Sequence, residues 1–154
     1  STQSRSSAAS DVYKRQRQYI VRRFEDSPVR SNQDLFRKRI GTTRGFSYPE
    51  LQPLFETHAA VRDDAESLEK NIQRLEQGRV DLVMTVDLSY GHYQQHFDSS
   101  KLAVDPLWAE PAEVYCALNP HNSLLVEQIQ KQLGLMQQQG IVDKVLKRWA
   151  HTSI

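Results

Sequence analysis

The apolar positions of this chain fall into short runs of two different periods. Tyr19-Ile20-Val21-Arg22-Arg23-Phe24 is rich in β-formers and is broken by Asp26-Ser27-Pro28. Residues 31–38 are polar apart from Leu35 and Phe36 and read as a connector or a short helical turn. Arg39-Ile40-Gly41-Thr42-Thr43 is a second β run, punctuated by Gly45. Ser47-Tyr48-Pro49-Glu50 then matches a capping box with a proline in the first turn. Leu51, Leu54 and Phe55 follow at helical spacing, and Pro53 keeps that helix short or irregular. Ala59-Ala60-Val61-Arg62 reads as the next strand. Asp63 or Asp64 is placed to cap a helix carrying Leu68, Ile72 and Leu75, which Gly78 closes at its C′ position. Val80 to Val86 is almost continuously apolar, as expected of a parallel strand covered on both faces.

A strand–helix–strand–helix–strand order predicts an α/β fold with a parallel sheet. Ligands of such sheets bind beyond the carboxyl ends of the strands. Those ends are 43–47, 62–64 and 86–89. The remainder of the chain reads differently. Tyr90 to Phe97 suits a short helix and Ser99 to Asp105 a loop. Ala112 to Leu118 suits a strand, and Asn119-Pro120 a turn. Ser123 is placed to cap a helix with Leu124, Leu125, Ile129 and Leu133, which Gly140 interrupts. Ile141, Val142, Val145, Leu146 and Trp149 form a last amphipathic stripe.

Composition narrows the classes. The chain has 154 residues, the length of one ordinary domain, with 20 Lys+Arg against 19 Asp+Glu. A net charge of +1 argues against a nucleic-acid or membrane-surface partner held by bulk electrostatics. No apolar run approaches the roughly 20 residues of a membrane span. A single cysteine, Cys116, excludes an internal disulfide framework and a cysteine-based zinc site. It lies in an apolar run and reads as core rather than nucleophile. Ser1 to Gln16 is polar, lacks the apolar stretch of a signal peptide and reads as a disordered tail. Its stretch SSAASDVYKRQ, Ser6 to Gln16, resembles a translated library-adaptor artefact, which implies that a natural N-terminal part is missing.

The chemistry-bearing positions are few. Gly45 and Ser47, between a strand and a helix start, form an anion-binding corner if the free amides point outward; otherwise Ser47 only caps its helix. Asp87, ending the third strand, either faces an ammonium group in the same crevice or is a solvated loop residue. Arg44 either pairs with a ligand acid or is an exposed strand end. His92 and His96 have the i, i+4 spacing of two metal ligands, without a third ligand at a telling spacing, and a solvated helix face explains them better. No P-loop, nucleophile elbow or Ser/His/Asp order is present, so no catalytic residue is nominated, and no cofactor or metal is implied.

Three pieces, taken in order, resemble the type 2 periplasmic solute-binding proteins, especially those serving ABC importers of polar amino acids. They are the stretch from Arg39 to Tyr48, the stretch from Gly78 to Met84, and the run from Val114 to Asn119 followed by terminal helices ending at Trp149. The resemblance implies a periplasmic-binding-protein type 2 lobe with the return strand and C-terminal helices of an incomplete first lobe. It implies a periplasmic, monomeric protein that takes a small polar, amino-acid-like solute and delivers it to an ABC permease, with no nucleic-acid partner and no direct membrane insertion. Ser47 falls where the family binds the ligand α-carboxylate, with Phe46 in place of a frequent Thr or Ser. The family's ammonium-binding Asp falls on Val86, one position before Asp87.

The implied organisation is a tail at 1–16, a first-lobe remnant and hinge approach at 17–36, a second lobe at 37–108, and a return crossing with C-terminal helices at 109–154. Without a first lobe, Leu125, Ile129, Val145 and Trp149 are expected to form an exposed apolar patch. Two rivals stay open: an enzyme on the same fold, with Asp87, Asp63, Asp64 or His58 as acid–base group, and the sensor lobe of a membrane receptor.

Overall fold

The structure, a computed structural model, describes residues 14–114 and 123–149. These residues form two compact units, one of residues 17–110 and one of 14–16 with 111–114 and 123–149.

The larger unit is built on a five-stranded mixed sheet. Its strands are β2 (Gln18–Arg23), β3 (Arg39–Thr43), β4 (Val61–Ala65), β5 (Leu82–Val86) and β6 (Leu102–Pro106), in the order β4-β3-β5-β2-β6. Strands β3, β4 and β5 are mutually parallel, with Ile40 opposite both Arg62 and Leu82. β2 runs antiparallel to β5 and β6, so Gln18 faces Val86 and Tyr19 faces Pro106. The sheet is therefore not wholly parallel. Residues 17–36, expected outside this lobe, supply its fourth strand in spatial order and part of its core. Successive residues Ile20 and Val21 are both fully buried, one on each face of the sheet.

Both sheet faces are covered. Ile20, Ile40, Leu82 and Met84 pack with Leu35, Tyr48, Leu51 and Leu54 on the side of α1 (Gln52–Glu56). Val21 and Val83 pack with Leu68, Ile72 and Leu75 of α2 (Leu68–Glu76), and with Tyr90 and Tyr93 of α3 (Asp87–His96). Each aliphatic side chain in these two clusters contributes about 1.5–3 kcal/mol on burial. α2 starts at Ser67, whose hydroxyl accepts the Lys70 N–H, so neither Asp63 nor Asp64 caps it; both lie within β4. Gly78 ends α2 at φ +69, as its C′ position requires. Ser99 to Asp105, expected as a loop, contains most of β6. That short run pairs with β2 in register from Leu102 to Pro106, which no local signal discloses.

β4 is an edge strand, and its Arg62-Asp63-Asp64 stretch places charge on an open edge that would otherwise template further pairing. Where the chain path of this unit closes, Leu107 N–H donates to Gln18 O at 2.9 Å. The chain thus enters and leaves the unit side by side, at the rim where β3, β4 and β5 end.

The smaller unit pairs β1 (Lys14–Gln16) antiparallel with β7 (Ala112–Val114). Lys14 to Gln16 therefore lie in a strand, unlike the tail expected through Gln16. Helices α4 (Ser123–Gln138) and α5 (Ile141–Trp149) are separated at Gly140, φ +65, and bury Val126 and Val142. Leu125 is 49% exposed and Val145 51%, whereas Ile129 is half-buried. Cys116, the Asn119-Pro120 turn, residues 1–13 and the side chains of Ser123 and Trp149 lie outside the described residues. No helix among the described residues is long and apolar enough to cross a membrane.

Candidate functional site

β3 and β5 are adjacent and parallel, yet their chains leave in opposite directions. From Thr43 the chain turns toward α1 on one face; from Val86 it enters α3 on the other. In sheets of this kind, such a divergence is where ligands are bound, beyond the carboxyl ends of the two strands. The Gly45–Ser47 turn follows β3 there and Asp87 follows β5.

The turn is well braced. Gly45 sits at φ +82, a conformation a side chain resists. Phe46 N–H donates to Thr43 O at 3.1 Å and Arg44 N–H to Ala65 O at 2.9 Å. Thr43 N–H donates to the Tyr48 hydroxyl at 3.1 Å, and the Tyr48 ring is buried in the core. The Arg62 guanidinium lies 5.5 Å from the centre of that ring and donates to Phe46 O at 2.9 Å. Ser47 itself is exposed, and neither its N–H nor its hydroxyl has a partner among the described residues.

Ser47 does not cap α1. That helix begins only at Gln52, is preceded by Leu51 and has no side-chain cap. The proline-containing stretch 48–51 closes as a turn on Tyr48 O instead, since two N–H groups, those of Leu51 and Gln52, converge there. The hydroxyl and amide expected at a helix start are thus presented by a turn, and a helix dipole plays no part.

Asp64 organises the adjacent strand end. Its Oδ1 accepts from Thr42 Oγ1 at 2.6 Å and from Arg62 Nε at 2.9 Å. Burial pushes its pKa up, but the bonds from Thr42 and Arg62 and the charges of Arg62 and Arg44 outweigh this, holding it below the ordinary 3.8. Arg44 is exposed, and its charge also acts on Glu66, whose pKa is lowered chiefly by Lys70. Arg44 thus lies by the acidic end of β4 as well as next to the corner.

Asp87 is the first residue of α3 and is half-buried. Its Oδ1 accepts the Leu88 N–H at 2.8 Å and its own N–H donates to Arg17 O at 3.1 Å. Val86, at the position the resemblance assigns to an acid, ends β5 and pairs with Gln18. The two histidines of α3 have ring centres 4.3 Å apart, and His96 Nδ1 lies 2.9 Å from His92 O. No group of three or more potential metal ligands occurs among the described residues.

One residue that sequence reasoning passed over, Gln18, meets Glu50, which sequence reasoning read only as part of a capping box. Gln18, 9% exposed, donates from Nε2 to Glu50 Oε2 at 3.3 Å, while its Oε1 is buried without a hydrogen-bond partner. A glutamine opening a β run carries no signal that would single it out. A concavity of about 540 Å³ opens at the opposite end of the parallel strands between Arg39, Asp63, Arg74, Arg79 and Asp81. Its charges largely satisfy one another: Asp63 pairs with Arg74 at 2.5 Å and with Arg39 at 3.7 Å.

No family model matches the chain. The L-cystine-binding protein TcyA of Bacillus subtilis is 23% identical over 141 residues, 91% of this chain and 51% of its own length. An ancestral arginine-binding protein, solved with arginine bound, superposes with a TM-score of 0.74 at 25% identity, over 93% of this chain and 64% of its own. The amino acid ABC transporter substrate-binding protein AbpA of Streptococcus pneumoniae, bound to L-arginine, gives 0.75 at 17% identity, over 92% and 60%. The chain spans about half the length of the curated relative it matches. The described residues thus hold part of the type 2 periplasmic-binding-protein (Venus-flytrap) fold, and the chain is similar to amino-acid-binding proteins of that fold.

Proposed function

We propose that residues 44–47 and Asp87 form the second-lobe half of a binding site for a small amino-acid-like solute, in an extracytoplasmic protein that serves an ABC importer. The supporting observation is the divergence of β3 and β5, with the exposed Ser47 N–H and hydroxyl beyond the end of β3. Those two donors suit a carboxylate; Arg62 and Tyr48 hold the turn in place; Asp87, beyond the end of β5, supplies negative charge for an ammonium group. The relatives named above bind cystine and arginine, which supports an amino acid as ligand. Delivery to a permease, as a monomer, follows from the same resemblance. Hinge closure over the solute is the mechanism such a half-site serves.

The test is an NMR titration of the chain against a panel of amino acids. Shifts concentrated at 45–47 and 87, weakened about tenfold or more by Ser47→Ala and Asp87→Ala, are the expected result. Binding unaffected by both substitutions removes the assignment.

A further inference from the structure

We infer that His92 and His96, both exposed on α3, form a two-histidine site that chelates a divalent transition-metal ion, copper(II) before the others. The inference is independent of the solute reading. At a rise of about 1.5 Å per residue, the two histidines lie roughly 8 and 14 Å along the helix axis from Asp87.

The i, i+4 spacing by itself only places two imidazoles on one side of a helix. The structure adds the relation between the rings. Their centres are 4.3 Å apart and their planes are tilted by 40°. Two imidazoles bound at right angles, with metal–nitrogen distances of about 2.0–2.1 Å, have ring centres about 4.5 Å apart; a tetrahedral angle spreads them to about 5 Å. The observed separation is close to the right-angled case. That is the tetragonal geometry of copper(II) and nickel(II), not the tetrahedral geometry of zinc.

The tautomer of one ring is set as well. His96 Nδ1 lies 2.9 Å from His92 O. A carbonyl oxygen only accepts, so Nδ1 carries the hydrogen and the lone pair of the neutral ring is on Nε2. A backbone carbonyl on the non-ligating nitrogen is a usual partner of a metal-bound histidine. It fixes the ring and makes the ligating nitrogen more basic.

The position favours a cation. His96 is the last residue of α3, at the negative end of the helix dipole. Asp98, exposed and two residues further on, adds a carboxylate at the same end. Tyr90 and Tyr93 are buried in the core and seat the helix on the sheet, so the pair stands on a fixed element. Two protein ligands leave the remaining coordination positions to water, which suits an exchangeable ion rather than a structural one.

The experiment is a calorimetric titration of the chain with copper(II), nickel(II), zinc(II) and magnesium chlorides, with NMR line broadening by copper(II) followed at its five histidines. His92→Gln and His96→Gln are titrated alongside, with His151→Gln as a control, each variant first checked for an unchanged circular-dichroism spectrum. Copper(II) is expected to broaden His92 and His96 first, to bind more tightly than nickel(II) or zinc(II), and magnesium not to bind. Loss of either imidazole should weaken copper(II) about tenfold or more, the scale on which even the outer partners of a metal act. His151→Gln should change nothing. Equal broadening at all five histidines would mean an adventitious ion only, and the inference falls. It falls too if both single variants hold copper(II) as tightly as the parent, or if zinc(II) binds more tightly than copper(II). Should either variant lose its native spectrum, the order of broadening in the parent chain decides.

Discussion

The Thr42 hydroxyl donates to Asp64 Oδ1 at 2.6 Å, joining two residues that lie opposite each other in the parallel β3–β4 register. Thr42 is fully buried, whereas the Asp64 side chain is 36% exposed. The bond favours the ionised carboxylate and helps to lower its pKa. A lowered folded-state pKa contributes stability that is present above the unfolded value and lost as pH falls through the folded one. Thr42→Val removes the bond at nearly constant volume. Its cost is expected to be about 1 kcal/mol at neutral pH, small because Asp64 is partly solvated. That cost should fade as pH falls below the ordinary carboxylate value of 3.8. Urea unfolding at neutral and at strongly acid pH checks this; an equal difference in the two would contradict it.

Gly41 and Gly45 are glycines for different reasons. A Cβ on Gly41 would meet Asn71 Oδ1 at 2.7 Å and Val83 Cγ2 at 3.2 Å. Asn71 cannot retreat freely, because its Nδ2 donates to Thr42 O at 2.9 Å from a fully buried position. Gly41→Ala is expected to destabilise by about 1–3 kcal/mol through overpacking. A Cβ on Gly45 meets nothing within 4 Å, so Gly45→Ala should cost only the left-handed backbone, about 1–2 kcal/mol. Replacing Asn71 by Ala as well separates the mechanisms: it should make Gly41→Ala less costly and leave the effect of Gly45→Ala unchanged.

Arg22 and Asp105 form a buried pair across β2 and β6, at 2.8 Å, with side chains 10% and 15% exposed. Arg22 also donates to Asp26 O at 2.8 Å, and the same Asp105 oxygen accepts Val29 N–H at 2.8 Å. Removing one partner leaves a buried charge alone. Arg22→Met is expected to cost about 3–5 kcal/mol, and Arg22→Met with Asp105→Leu less than the sum of the single changes. Strict additivity in a thermal or urea double-mutant cycle would show that the two charges are not coupled.

Tyr48 connects the core to the corner. Tyr48→Phe leaves the Thr43 N–H without its acceptor and should lower stability by about 1–2 kcal/mol. If the turn positions a ligand, amino-acid binding should weaken several-fold further at temperatures where the variant stays folded. Calorimetric titration well below the melting midpoint separates the two effects.

The three parallel strands are legible in the sequence because each is a short run set off by glycine or by charge. The Gly45–Ser47 corner is legible for the same reason: glycine marks a turn at a strand end. The antiparallel partners are not. β6 reads Leu-Ala-Val-Asp-Pro, with a proline and an acid, and only its pairing with β2, which sets Asp105 opposite Ile20 and within 2.8 Å of Arg22, explains why Asp105 belongs there. The capping-box pattern at Ser47 misleads because the chain turns on Tyr48 O before any helix forms. The hydroxyl of the motif therefore ends on a turn, and α1 begins only at Gln52. Gln18 and Glu50 meet across 32 residues, beyond the reach of any local pattern.

The hydrogen bond from Leu107 to Gln18 has a practical corollary for engineering. A module whose two chain ends are clamped together can be lifted out, or spliced into a host loop, without stretching either terminus. Residues 17–110 meet that condition, and the splice would fall at the same rim that carries Ser47 and Asp87. Occupancy of that rim would then bear on whatever host the ends were joined to.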